Sequence, residues 1–268
     1  MTTGPKARLS GVGTIDQVFA HSLEGRPQKD WEPLAEHLAR VGRQAAAFAR
    51  AFGADDLGDV AGRLHDIGKM SKAFQEYIGG NGRLIGPDHS TAGAREAVAL
   101  YGEQNLGRIL AYCIAGHHAG LADGGSEHEP GTLSHRLGAS EIETYDGWEN
   151  HAGAMPKKSD LPMPIALKFK SQHAGFEKAF FIRMLFSALV DADFLATEYF
   201  YANAKDDPIS RGSTTPLATL RERLNRALSD KSNADTDVNR LRGQVLAHVR
   251  SQASESPGLF SLTVPTGG

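Results

Sequence analysis

The chain has 268 residues, 40% hydrophobic and 23% charged, with 29 Lys and Arg against 32 Asp and Glu for a formal net charge of −3. That length allows one well-buried core plus a trailing segment, while the charge argues against strong autonomous affinity for nucleic acid, which depends on neutralising phosphates with Lys and Arg. The single cysteine excludes a disulfide framework and fits a reducing cytoplasm; no apolar signal core follows Met1, and the run Ala179 to Val190 is broken by Arg183 and too short to span a bilayer, so no membrane role is expected.

The first 30 residues read as a glycine-bearing extended flap that carries Ala20-His21-Ser22. A helix is predicted over about 32–53, because Trp31, Leu34, Leu38 and Val41 recur at helical spacing, and His37 borders that stripe. A second helix over about 57–69 carries His65-Asp66 and Lys69 and ends near Gly68, where a left-handed residue is easy. Adjacent helical side chains diverge by about 100°, so His65 and Asp66 can meet one cation from neighbouring angles or two cations lying side by side. After a helix over 71–79, Asp88 reads as the cap of a helix over 89–102, which puts His89 in its first turn. The apolar helix over 106–116 terminates in His117-His118, bracketed by Gly116 and Gly120, which permit close approach of backbone or ligand.

Residues 121–175 are rich in Gly, Pro, Ser and His and poor in periodicity, so they read as an irregular insertion with one short helix near Leu133 to Leu137. Its place in the chain makes it a candidate wall or gate beside the site, or simply a variable loop. The helix over 176–203 is almost wholly apolar yet holds Asp191 and Asp193, and a buried carboxylate needs a metal or a cation to offset its desolvation. These two point roughly 200° apart on a helix, so only one can reach a given site. A helix-rich segment over 215–252 follows, and Gly258 to Gly268 reads as a short strand running into a glycine-rich turn.

His37, His65, Asp66, His89, His117, His118 and one of Asp191 and Asp193 together offer more nitrogen and oxygen donors than one divalent ion takes. The count points to two cations sharing a site. By contrast, His21, His128, His135, His151, His173 and His248 read one by one as ordinary core or surface histidines. Lys157-Lys158 and Lys168-Phe169-Lys170 are local basic spots, and Phe169 could stack on a base; both read more simply as solvated loops.

The order His, His-Asp, His, His-His, Asp, with Lys69 three residues after Asp66, resembles the HD superfamily of metal-dependent phosphohydrolases. Within it, the strings Ala20-His21-Ser22, Leu34 to Leu38, His65-Asp66-Ile67-Gly68-Lys69, His89-Ser90-Thr91-Ala92-Gly93, Gly116-His117-His118-Ala119-Gly120 and Ser187 to Asp193 resemble the HD nuclease domain of the CRISPR-associated helicase-nucleases of type I systems. The resemblance implies an all-α HD bundle over 31–205, interrupted by the insertion, and brings His21 and Ser22 near the metals. A helical linker over 206–257 would lead to 258–268, a short C-terminal strand that opens the phosphate-binding loop of a missing helicase domain. That loop needs a Lys and a Ser or Thr after its glycines, so no ATP would be bound by this chain.

On activity, the resemblance implies hydrolysis of single-stranded DNA by a cytoplasmic enzyme with two divalent ions (Mn, Mg, Co or Ni), recruited by an RNA-guided surveillance complex and fed by the helicase domain of the full-length protein. One ion would take His37, His65, Asp66 and the late aspartate, the other His89, His117 and His118, with Asp66 bridging. Ala192-Asp193-Phe194-Leu195 matches the pattern around the family's final aspartate and favours Asp193 over Asp191. Lys69, one turn from Asp66, would orient that carboxylate, neutralise a substrate phosphate or serve only as a structural salt bridge. Two other readings stay open: a phosphohydrolase of free or cyclic nucleotides, and a noncatalytic docking module whose metals brace the fold.

Overall fold

A computed structural model describes residues 17–80, 85–104, 106–138, 142–164, 172–205, 215–231 and 236–264. The chain divides into two compact units, Met1–Ile209 and Ser210–Gly268.

The first unit is helical, as the all-α reading requires. A two-residue strand β2 (Glu32–Pro33) pairs antiparallel with β1 (Phe19–His21), and the register sets His21 opposite Glu32. Helix α1 (Leu34–Ala49) then buries Leu34, His37, Leu38, Val41 and Ala45 on one face, the stripe expected from the spacing. It packs against α2 (Asp55–Leu64) almost backbone to backbone. A Cβ placed on Gly62 would lie 2.5 Å from the Gly42 nitrogen, and one on Gly58 would lie 2.6 Å from the Ala45 carbonyl oxygen.

Helix α2 does not run to Gly68 as its sequence suggests. It stops at Leu64; His65 is the last residue with helical angles, Asp66 turns out at φ −118°, and a 3-10 turn follows over Ile67–Met70. Gly68 is not left-handed. A Cβ there would lie 2.2 Å from the His89 carbonyl oxygen, so its role is to let the two backbones touch.

Helix α3 (Lys72–Ile78) is capped by the Ser71 hydroxyl, which accepts from the Phe74 N–H. Its Gln75 side chain donates to the carbonyls of Phe19 and Lys69, stitching β1 to the His65-Asp66 turn. Helices α4 (Ser90–Tyr101) and α5 (Leu106–Gly116) pack tightly, and Gly93 passes close under Leu64. Within 121–175 the structure has α6 (Leu133–Gly138), where the short helix was expected, a further turn α7 (Glu149–Ala152) and a 3-10 turn over Lys158–Asp160. Helix α8 (Ala174–Ala204) turns Phe181, Leu185, Ala188, Leu189, Ala192, Asp193 and Ala196 inward. Leu38, Leu64, Leu110, Ile114, Leu185 and Leu189 form the centre of the core.

The second unit holds α9 (Leu217–Lys231) and α10 (Asp237–Ser251), with Arg250 of α10 donating to the Asn225 side chain of α9 at 2.5 Å. Residues 258–264 are exposed and form no strand, contrary to expectation, since a strand needs a partner to take its backbone hydrogen bonds. Residues 265–268 lie outside the described residues, as does Lys168-Phe169-Lys170; Lys157 and Lys158 are exposed. Among the described residues no helix is long and apolar enough to cross a membrane.

Candidate metal centre

The predicted ligands from His37 to Asp193, Asp191 excepted, meet at one place in the bundle although about 160 positions of sequence separate the first from the last. Two groups of four possible ligands share one residue: His37, His65, Asp66 and Asp193 form the first, and Asp66, His89, His117 and His118 the second. In each, the donor atoms lie within 4.8 Å of one another. Asp66 is the hinge between them. Its Oδ2 lies 3.2 Å from His65 Nε2 and 3.5 Å from His37 Nε2, and its Oδ1 lies 3.3 Å from the Nε2 atoms of both His89 and His117.

Each element contributes by how it ends or turns. His37 sits one turn into α1 on the buried stripe. Because α2 breaks at Leu64, His65 and Asp66 leave the helix and turn together into the bundle. His89 precedes α4 rather than lying in its first turn, and His117-His118 follow the last turn of α5. Asp193 is carried by the inward face of α8, with its Oδ1 3.3 Å from His37 Nε2 and 3.5 Å from His65 Nε2. Asp191, two residues earlier, is exposed and outside both groups.

The imidazoles are oriented for cations. His65 Nδ1 lies 2.7 Å from the Gly62 carbonyl, His117 Nδ1 2.6 Å from that of Ile114, and His89 Nδ1 3.2 Å from that of Pro87. A carbonyl only accepts, so each Nδ1 carries a proton, and Nε2 is the nitrogen turned to the centre, free to bind a cation once it holds no proton of its own. His37 is held from behind by Glu32, whose Oε2 is 3.3 Å from its Nδ1. Inside the cluster, the Nε2 atoms of His37, His65 and His117 and Oδ1 of Asp66 are buried without a hydrogen-bond partner. Buried polar atoms are costly when unpaired, and here they all converge on one small space. His89 and His118 point their Nε2 atoms at each other across 2.9 Å. The donor set therefore fits divalent cations.

The two halves differ electrostatically. Burial works against the charged form of His37, but the carboxylates of Asp193, Asp66 and Glu32 beside its ring outweigh it and raise its pKa to about 10. His65, equally buried, is raised to about 9 by the charges of Asp66 and Asp193. Burial pushes the Asp66 and Asp193 carboxyls up, yet histidines around both, and Lys69 beside Asp66, hold them below the usual carboxylate range. In the other half, burial lowers His89, and burial with the charge of His117 brings His118 to about 4. His89 and His118 are thus both shifted toward the neutral form that a cation accepts. His118 is also exposed, so the centre opens to solvent on its side, while His37 and His65 are fully covered.

Lys69 is buried, with Nζ 2.7 Å from Asp66 Oδ2, 3.4 Å from His21 Nε2 and over the Phe74 ring. His21 in turn lies 2.7 Å from Glu32 Oε2. His21, read from sequence as a lone histidine, thus belongs to the surroundings of the centre, where Ala20-His21-Ser22 had pointed by resemblance alone. Glu32 escaped the sequence reading altogether. Nothing in its local spacing marks it, because it reaches the cluster through strand pairing. Burial raises Glu32 and the hydrogen bonds of His21 and His37 lower it further, to about 2. His128, His135, His151, His173 and His248 lie outside the ligand groups, in keeping with their reading as ordinary histidines.

Residues 34–146 match the family model described as HD domain. The match takes in His37, His65, Asp66, His89, His117 and His118 and ends before Asp193. No curated protein matches the chain. HD domains bind divalent metals, and an HD domain over 34–146 implies a metal-dependent hydrolase, with which the clustered ligands agree.

Proposed function

We propose that the chain hydrolyses phosphodiester bonds in single-stranded DNA with two divalent cations, Mn, Mg, Co or Ni, in the interference step of a type I CRISPR system. The observation that carries this reading is the pair of four-residue ligand groups sharing Asp66. A single structural ion would need four ligands in a closed shell; here a second, solvent-facing set stands beside a closed one. The likeness of the strings around His21, His65, His89 and His117 to the CRISPR helicase-nucleases supplies the substrate class.

Divalent cations bound side by side supply Lewis acidity, lowering the pKa of water and offsetting charge on a phosphate. The protein's share is placement. His37, His65 and Asp193 form the closed floor, and Asp66 keeps one oxygen toward each half. His89 and His118 stand at the open edge, where a strand's backbone has access. Lys69 holds Asp66 in orientation from behind, its ammonium spent on Asp66 and His21 at the back of the cluster. With a net charge of −3 the chain has little of its own to attract DNA, so delivery by an RNA-guided complex that displaces a strand, and by a helicase domain, fits the chemistry.

The test is incubation of the purified chain with circular single-stranded DNA and each cation in turn. Cutting is expected, with His65→Ala and Asp66→Ala abolishing it. Turnover of free or cyclic nucleotides with DNA left intact would replace this reading with that of a small-molecule phosphohydrolase. Metal binding without hydrolysis of either would leave a metal-braced module.

A further inference from the structure

We infer that Arg136, on α6 of the insertion, is a positioning residue that holds His89, His117 and His118 together as one half of the metal centre. The inference rests on the two-cation reading above.

The Arg136 guanidinium spans two helix ends that carry ligands. Its Nε and Nη2 donate to Thr91 Oγ1 at 3.1 and 2.8 Å, and Nη2 also donates to Ser90 Oγ at 2.8 Å and to the Asp88 carboxylate at 3.1 and 3.2 Å. Asp88 in turn accepts from the backbone N–H groups of Ser90 and Thr91, both at 3.1 Å, so it fixes the start of α4 on either side of His89. On the other side, Arg136 Nη1 donates to the Ala115 carbonyl in the last turn of α5, two residues before His117. One planar group therefore clamps the chain before α4 to the end of α5. Those are the two places that supply this half of the centre.

The clamp is itself anchored. Leu133 of α6 is fully buried, and Arg108 of α5 donates to Ser134 Oγ at 2.8 Å. A guanidinium suits the task because it donates in several directions from a rigid plane; an ammonium acts as a point charge and cannot serve both ends. The other half of the centre rests on α1, the end of α2 and α8, to which Arg136 makes no hydrogen bond among the described residues. Loss of the clamp should therefore be felt by one cation and not by the other.

The experiment is a Mn2+ titration of the full chain, read as free Mn2+ by electron paramagnetic resonance and as heat by calorimetry, with thermal unfolding of the metal-free proteins alongside. The unaltered chain is expected to take two Mn2+. Arg136→Ala should keep one with unchanged affinity and bind the second about 10- to 100-fold more weakly, the usual consequence of removing a group that orients metal ligands. Arg136→Lys should behave the same way, and it carries the test if the alanine variant does not fold. Equal weakening of both ions would assign Arg136 a general structural role, and two unchanged ions would assign it none; either overturns the inference. An unaltered chain that takes only one Mn2+ would instead overturn the two-cation reading.

Discussion

Asp193 and Asp191 show how a single residue's direction decides its chemistry. The two are chemically identical and two positions apart, but α8 buries every third or fourth residue, and only Asp193 falls on that face. Its carboxylate is lowered because it balances His37 and His65, both raised well above an ordinary imidazole. Asp193→Asn removes one of the carboxylates that balance them and leaves the buried positive charge to Asp66 and Glu32, so the metal-free protein should lose up to roughly 3–5 kcal/mol, the range for breaking a buried ion pair, and bind one fewer Mn2+ at stoichiometric concentration. Asp191→Asn, on the exposed side, should stay within about 0.5 kcal/mol of the unaltered protein and bind metal normally. Chemical denaturation of both variants in chelator checks the first claim; equal losses in the two would show that the inward face of α8 has been misassigned. The directional argument was available from sequence, since a 200° separation forces a choice, whereas Glu32 was not. Its approach to His21 and His37 comes from the register of a strand pair two to three residues long, too short to leave a periodic signal.

At the scale of elements, the placement of the long helices followed from apolar spacing, but their ends did not. The His65-Asp66 pair was expected inside a helix that continued to Gly68. In the fold α2 ends at Leu64, because the turn that follows must bring the Gly68 backbone against that of His89, a tertiary contact to which helical propensity is blind. In the same way the short helix α6 could be drawn from its residues, while its grip on α4 and α5 through Arg136 could not. Gly93 offers a direct test of how tightly these elements are set. A Cβ there would lie 1.9 Å from the Leu64 carbonyl oxygen and 2.8 Å from its carbonyl carbon, backbone that cannot retreat without moving a helix. Gly93→Ala should cost about 1–3 kcal/mol, the range for overpacking a filled core, despite alanine's better helical propensity. Since Leu64 leads directly into His65, the same variant should also bind Mn2+ more weakly. A gain in thermal stability would show that α4 and α2 are not in backbone contact there.

For the molecule as a whole, protons and metal compete for the same donors, and this ties stability to pH in opposite ways with and without cations. In the metal-free protein the pKa values of His37 and His65 are raised above the ordinary 6.5, to about 10 and about 9. Their protonated contacts with Asp66 and Asp193 therefore contribute stability that is fully present below pH 6.5 and is lost as pH rises through 9 and 10. A cation needs the neutral imidazoles, so binding at pH 7 must expel those protons, and affinity should climb with pH across the same window. Because a ligand that binds only the folded chain raises stability with the logarithm of its concentration over its dissociation constant, the metal-dependent increase in Tm should widen steadily from pH 6.5 to 9. Thermal unfolding in chelator and in saturating Mn2+ over that range measures both arms. Proton release can be read independently by repeating the calorimetric titration at pH 7 in buffers of different ionisation enthalpy. An increase in Tm that stays constant with pH, accompanied by no proton release, would mean that the imidazoles of the closed half do not hold the cation.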